Sequence, residues 1–181
     1  MSIVLSPLWN STSEVSVKAI VEVAEQFLQV SFAVQEPQKC FCQNKECDGE
    51  FVWQDSCVEV FLEMLDGSGD YVNFEFNSKG VCYSARGKDR QNRTELTNAE
   101  YLQIERNASE ILFEGTTVRW FLFVKIPFAL LHAKWDDLRA FPIRGNIYKC
   151  ADNAQEPHYL SAFPIKTEKP DFHRPEFFSE F

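Results

Sequence analysis

Phe51-Val-Trp-Gln-Asp-Ser-Cys-Val-Glu-Val-Phe61 is the stretch on which the reading of this chain turns. From Val58 the side chains alternate, with Val58, Val60 and Leu62 on one face and Glu59, Phe61 and Glu63 on the other. That period of two marks a β-strand with one buried face. The connection Asp66-Gly-Ser-Gly-Asp70 leads to a second alternating run, Tyr71-Val-Asn-Phe-Glu-Phe-Asn77, in which Val72, Phe74 and Phe76 oppose Tyr71, Asn73, Glu75 and Asn77. Pairing the two runs as a hairpin brings Glu59 close to Glu75 on the polar side, with Asn73 beside Phe61. Trp53, six residues before Glu59, falls on the same side of an extended chain. A flat ring beside carboxylates and amides suits a sugar, which has an apolar CH face and a rim of hydroxyls.

Working outward, residues 1–13 read as an irregular lead-in. Glu14 to Val34 reads as two strands broken at Glu22–Gln26, with a short helix over Ala24–Val30 as the alternative. Gln35 to Gly49 is polar and cysteine-bearing, a loop. Beyond the hairpin, Asn77-Ser-Lys-Gly80 is a turn feeding a strand from Val81 to Ala85. The charged segment Arg86 to Arg93 is a loop, and Thr97-Asn-Ala-Glu100 fits a capping box. Val118 to Ile126 is nearly continuous in apolarity and predicts a buried central strand. Pro127 opens a short helix to His132, and Gly145–Cys150 and His158–Phe163 are further strands. Many short strands and little helix predict an all-β fold, an antiparallel β-sandwich with one or two short helices.

The 181 residues suit a single domain, residues 1–181, and 45% hydrophobic content with 17 phenylalanines supplies a core. The net charge of −9, with no basic patch, argues against nucleic acid or an anionic membrane as partner. No apolar run is long enough to cross a membrane as a helix. Met1-Ser-Ile-Val-Leu-Ser-Pro7 lacks the regions of a secretory signal, so a cytoplasmic location is expected. The six cysteines are too sparse for a disulfide scaffold at this length.

Four stretches together carry a family resemblance: Trp53-Gln-Asp-Ser-Cys-Val-Glu59, Tyr71 to Asn77, Arg144-Gly-Asn-Ile-Tyr-Lys-Cys150, and Pro170-Asp-Phe-His-Arg-Pro-Glu-Phe-Phe178. In this order and spacing the chain resembles the family 9 carbohydrate-binding modules, in their stand-alone bacterial family 9-like branch. The resemblance implies an immunoglobulin-like sandwich that binds the ends of glucan or xylan chains without catalysis. A sugar would be clamped between two aromatic rings, with carboxylates, amides and an arginine around the rim. Trp53 falls on one ring and Phe172 on the second, in place of a tryptophan. Glu59 falls on a hydroxyl-binding carboxylate, and Tyr148 on a position where an amide would sit. The ligand set is then Trp53, Glu59, Asn73, Glu75, Arg144, Tyr148, Phe172 and His173, binding a mono- or oligosaccharide. Leu160-Ser-Ala162 and Ser179 depart from the pattern.

Alternatives stand beside this reading. Glycoside hydrolysis needs two carboxyl groups ~5–9.5 Å apart. Asp55 and Glu59 would lie roughly 13 Å apart on an extended chain, whereas Glu59 and Glu75 across a hairpin satisfy the spacing. A sandwich that has lost sugar binding and serves protein contacts is the other alternative. Arg86 competes with Arg144 as the rim cation, and His158 with His173 as a ligand or a structural histidine. No cofactor is expected. Cys40, Cys42 and Cys47 would make a zinc site only if Cys57 or a histidine joined them, and Cys57 is read as buried filler. Structural calcium would need Asp66, Asp70 or the Asp136-Asp137 pair. The sequence leaves the oligomeric state open.

Overall fold

In the computed structural model, which describes residues 1–132 and 142–181, the chain forms two antiparallel sheets. The strands in chain order are β1 (Ser2–Val4), β2 (Ser6–Pro7), β3 (Ser16–Val23), β4 (Phe27–Pro37), β5 (Cys57–Glu63), β6 (Tyr71–Asn77) and β7 (Cys82–Gly87). They continue as β8 (Arg93–Glu95), β9 (Glu105–Ala108), β10 (Leu112–Glu114), β11 (Thr117–Pro127), β12 (Arg144–Cys150), β13 (Tyr159–Ser161) and β14 (Ser179–Glu180), with a short α-helix α1 (Asn98–Tyr101) and single 3-10 turns that include Val52–Gln54 and Phe128–Leu131. The first sheet runs β1-β3-β4-β11-β10, with β9 also on β11. The second runs β2-β13-β12-β5-β6-β7-β8, with β14 on β12. This is the expected sandwich with short helices.

The two sheets differ in what covers their outer faces. In β3, β4 and β11 buried and open positions alternate, as one-sided packing requires. The long apolar run of β11 is therefore not buried on both faces: Val118, Trp120, Leu122, Val124 and Ile126 point inward, while Phe121 stays exposed. In β5 and β6 nearly every residue is buried. Val58, Val60, Leu62, Val72, Phe74 and Phe76 face the main core between the sheets. Their alternating neighbours face a second, smaller core on the outside of the sheet, built with Val52, Tyr148, Ile165, Phe172 and Phe178. The segment from Ile165 to Phe178 straps across that outer face, held at one end by the Trp9 indole donating to the Thr167 carbonyl (2.8 Å).

Several local expectations meet their structure directly. The hairpin registers Glu59 against Glu75 and Phe61 against Asn73, Gly80 takes the positive φ of the turn (+79°), and Thr97 with Glu100 closes a capping box on α1. Residues 1–13 are not wholly irregular, because β1 and β2 add edge strands to the two sheets. The alternative helix over Ala24–Val30 is absent; that stretch turns into β4. Strands β8 and β9 carry no apolar alternation that would announce them; they form as partners along edges supplied by β7 and β11.

Between the sheets lies a fully buried polar cluster. Lys149 on β12 pairs with Glu36 on β4 (3.0 Å) and donates to His158 Nε2 (2.7 Å), while the Trp120 indole donates to Glu36 Oε1 (2.7 Å). His158 is thus a structural histidine, neutral because burial and then the Lys149 charge push its pKa down to about 2. A histidine kept neutral in the fold but charged when unfolded stabilises above the unfolded value of about 6.5 and loses that contribution as pH falls. Relative to a His158→Gln variant, the wild type is expected to lose about 2 kcal/mol between pH 7 and pH 5 in urea unfolding. A difference that stays constant with pH would contradict a neutral His158.

Candidate functional site

The site is built on the outer face of the second sheet, from positions that the pleat alternates away from the main core. Glu59 on β5 and Glu75 on β6 are directly opposed, which for antiparallel neighbours sets their Cβ atoms about 5 Å apart. Both are 3% exposed. They form the floor of a cleft of about 130 Å³ walled by Trp53, Tyr159, Phe172 and His173, with Arg90, Arg93, Asp152 and Asp171 around it. An apolar cavity of ~150 Å³ takes a benzene molecule, so this space matches one six-membered ring.

Trp53 sits on a single helical turn, Val52–Gln54, rather than on an extended chain, and still reaches the cleft. One side of its ring is backed by Phe51 at 4.5 Å between centroids and 28° between planes. Tyr83 meets it edge-on at 5.2 Å. Phe172, on the strap, is stacked on Tyr148 at 4.2 Å and 5°, with Tyr159 edge-on at 6.0 Å. Each wall ring is therefore fixed by another aromatic. Phe172 is 9% exposed, so it presents a narrow surface, and the half-buried Tyr159 widens that wall.

The polar floor is held by neighbours. Asn73 Nδ2 donates to Glu75 Oε1 (2.8 Å), and Arg93 Nη1 donates to Asn73 Oδ1 (2.8 Å). The Cys150 thiol donates to Glu59 Oε1 (3.0 Å). Glu75 Oε2 is buried with no hydrogen-bond partner. Burial pushes Glu59 up to about 7, with the Cys150 thiol pulling the other way. Burial and then the Glu59 charge raise Glu75 well above the usual carboxylate range. Two opposed buried carboxyls cannot both ionise cheaply, so near neutrality the pair retains a proton and offers a donor as well as acceptors. His173 is held neutral, near 3, by burial and by Arg93 and Arg90. Its Nδ1 lies 2.7 Å from the Tyr71 hydroxyl. With Tyr71 donating, Nε2 carries the ring proton.

Of the eight residues expected from sequence, Trp53, Glu59, Glu75, Phe172 and His173 line one cleft. Asn73 lies behind the floor and orients Glu75. Tyr148 is a correction: it is fully buried as the backing of Phe172, not a rim group, because Phe172 folds down over it. Arg144 is another, since it pairs with Glu63 (3.0 Å) and the Phe178 carbonyl (3.1 Å) away from the cleft. Arg86 is committed to Glu100 and to His132. The cations at the cleft are instead Arg90 and Arg93, placed by a tight turn in which Asp89 Oδ1 accepts from the Gln91 and Asn92 amides (2.9 Å each). The charge run Arg86–Arg93 was the available signal for them. Nothing in the sequence marked Tyr159 or Asp152. Of the calcium candidates, Asp66 is taken up by Ser68 and His132, and Asp136-Asp137 lie outside the described residues. Cys40, Cys42 and Cys47 do not gather; Cys40 is in the main core, and Cys42 donates to the Gln54 carbonyl (3.0 Å).

The architecture matches solved structures over nearly the whole chain. A protein from Bacteroides uniformis ATCC 8492, provisionally described as carbohydrate-binding, is similar at 25% identity and a TM-score of 0.76, over 98% of this chain and 84% of that one. A carbohydrate-binding module of family 9 from Caldicellulosiruptor kristjanssonii, solved with cellotriose, shares the fold at 13% identity and a TM-score of 0.53, over 99% of this chain and 80% of that one. No curated protein sequence matches the chain. The family model for carbohydrate-binding family 9 matches residues 6–181, and the chain belongs to that family.

Proposed function

We propose that the cleft binds the end of a saccharide without catalysis, seating one sugar ring between Trp53 and the wall of Phe172 and Tyr159. The observation that carries this reading is Glu75 Oε2, a buried carboxyl oxygen without a partner beside Glu59 in a ring-sized cleft. A buried polar atom left unpaired costs about 1–3 kcal/mol, and a sugar hydroxyl would satisfy it. Arg90, Arg93 and His173 supply donors for the remaining rim, and the Trp53 face supplies stacking worth about 1 kcal/mol beyond area burial. After ordering and desolvation, an affinity on the order of micromolar to millimolar follows. Family membership supports the non-catalytic reading.

The carboxyl pair favours gripping over cleavage for a geometric reason. Glu59 and Glu75 project side by side from one floor, whereas hydrolysis needs two carboxyls flanking the scissile bond. Among the described residues no helix is long and apolar enough to cross a membrane, and family membership lends no support to the cytoplasmic expectation.

Calorimetry against cello- and xylo-oligosaccharides tests the proposal. Trp53→Ala is expected to weaken binding about thirtyfold, some 2 kcal/mol, with circular dichroism unchanged. Glu75→Gln, which puts an amide in place of the unpartnered carboxyl, should weaken it about tenfold, the scale of one hydrogen bond. Affinity indifferent to both changes would overturn the proposal, and release of reducing ends that stops in Glu59→Gln would replace it with hydrolysis.

A further inference from the structure

Beneath the cleft lies a cluster that shares Glu59 with the sugar floor and adds two thiols that sugar binding does not use. Cys57 and Cys150 are direct partners across β5 and β12, and Glu59 stands two residues along β5 on the same face. The pleat therefore brings two thiols and a carboxylate into a triangle whose ligand atoms all lie within 4.8 Å of one another. All three are buried: Cys57 fully, Cys150 at 2% and Glu59 at 3% exposed. Glu59 and Cys150 also line the cleft, so the triangle has a path of entry on one side and protein on the others.

We infer that Cys57, Cys150 and Glu59 form a site for a thiophilic divalent cation of the zinc or cadmium class. Zinc takes sulfur at about 2.3 Å and carboxylate oxygen at about 2.0–2.2 Å in a tetrahedron. The edges of such a tetrahedron are about 3.5–3.8 Å, and the three ligand atoms already lie within 4.8 Å of one another, so small rotamer shifts close the site. Two sulfurs disfavour calcium and magnesium, which take oxygen donors. Three protein ligands leave a fourth position for water or another oxygen donor, which the cleft lined by Glu59 and Cys150 supplies. Binding replaces the thiol protons and any proton on Glu59 with the metal, and those protons leave to solvent. The site stands whether or not the cleft accepts a sugar.

Cadmium(II) is the probe, titrated into reduced, chelator-washed protein carrying Cys47→Ser to remove the exposed thiol. One equivalent is expected to produce a sulfur-to-cadmium charge-transfer band, and zinc(II) should abolish it by competition. Cys57→Ser and Cys150→Ser should each remove the band while the far-ultraviolet circular dichroism stays native. Glu59→Gln, which leaves both thiols, should weaken binding more than tenfold. The assignment fails if the parent protein shows no band, if the band survives in the Cys57→Ser/Cys150→Ser double variant, or if Glu59→Gln binds as tightly as the parent. It also fails if thiol counting under reductant finds Cys57 and Cys150 joined as a disulfide.

Discussion

Lys149→Met is expected to lower stability by about 3–5 kcal/mol, the range for removing one partner of a buried ion pair. Lys149 and Glu36 are both fully buried and meet at 3.0 Å, with Trp120 and His158 as their neighbours. Removing the ammonium leaves the Glu36 carboxylate between two sheets with one indole donor. The effect falls on the joint between the layers, since Glu36 belongs to one sheet and Lys149 to the other. For a chain of this length the melting temperature should drop by roughly 10 °C. A Lys149→Met/Glu36→Gln double variant should regain more than half of the loss, because the uncompensated charge goes too. An unchanged melting temperature in the single variant would remove the premise that the two meet as an ion pair.

Gly145→Ala should produce a loss of comparable size. Strand β12 lies between β5 and β14 at this residue. A Cβ built there would stand 2.1 Å from the Phe61 carbonyl oxygen and 2.8 Å from a ring carbon of Phe181. The first of these is backbone and cannot rotate away, so β12 must lift off β5. Overpacking typically costs 1–3 kcal/mol; a backbone clash belongs at or above the top of that range. Strand β12 also carries Tyr148 and Cys150, so the lift disturbs the backing of Phe172 and the floor of the cleft. Thermal unfolding should show a fall of roughly 6–12 °C, together with weakened saccharide binding. A melting temperature equal to the wild type's would show that the sheet yields at no cost.

Much of the fold was legible in the sequence because strand alternation and turn chemistry are local. The hairpin from Cys57 to Asn77 needed only a period of two and the glycines of its connection, and its register put Glu59 against Glu75 as expected. Two features went unread for non-local reasons. Strands β8 and β9 depend on edges offered by β7 and β11, not on their own residues. The exposed outer face of β11 was misjudged because an apolar run looks the same whether or not a second layer covers it.

The site divides along the same line. Trp53, Glu59, Glu75, Phe172 and His173 were accessible through motif order, and all five line one cleft. Arg144 and Arg86 were the expected cations, and Arg90 and Arg93 go unmarked because only the Asp89 turn decides which charged residue reaches the cleft. Tyr148 was misplaced because stacking against Phe172 joins residues 24 positions apart, a contact no pattern records.

Chain chemistry alone determined that two alternating runs pair, that one of their faces is apolar, and that acids and amides gather on the other. Only the tertiary structure decided that this second face is interior. The strap from Ile165 to Phe178 folds over it, removing water from Glu59, Glu75 and Asn73 and building a second core around them. Alternation reports which side chains share a side of a strand, but desolvation depends on what lies above that side. Here that cover comes from the far end of the chain.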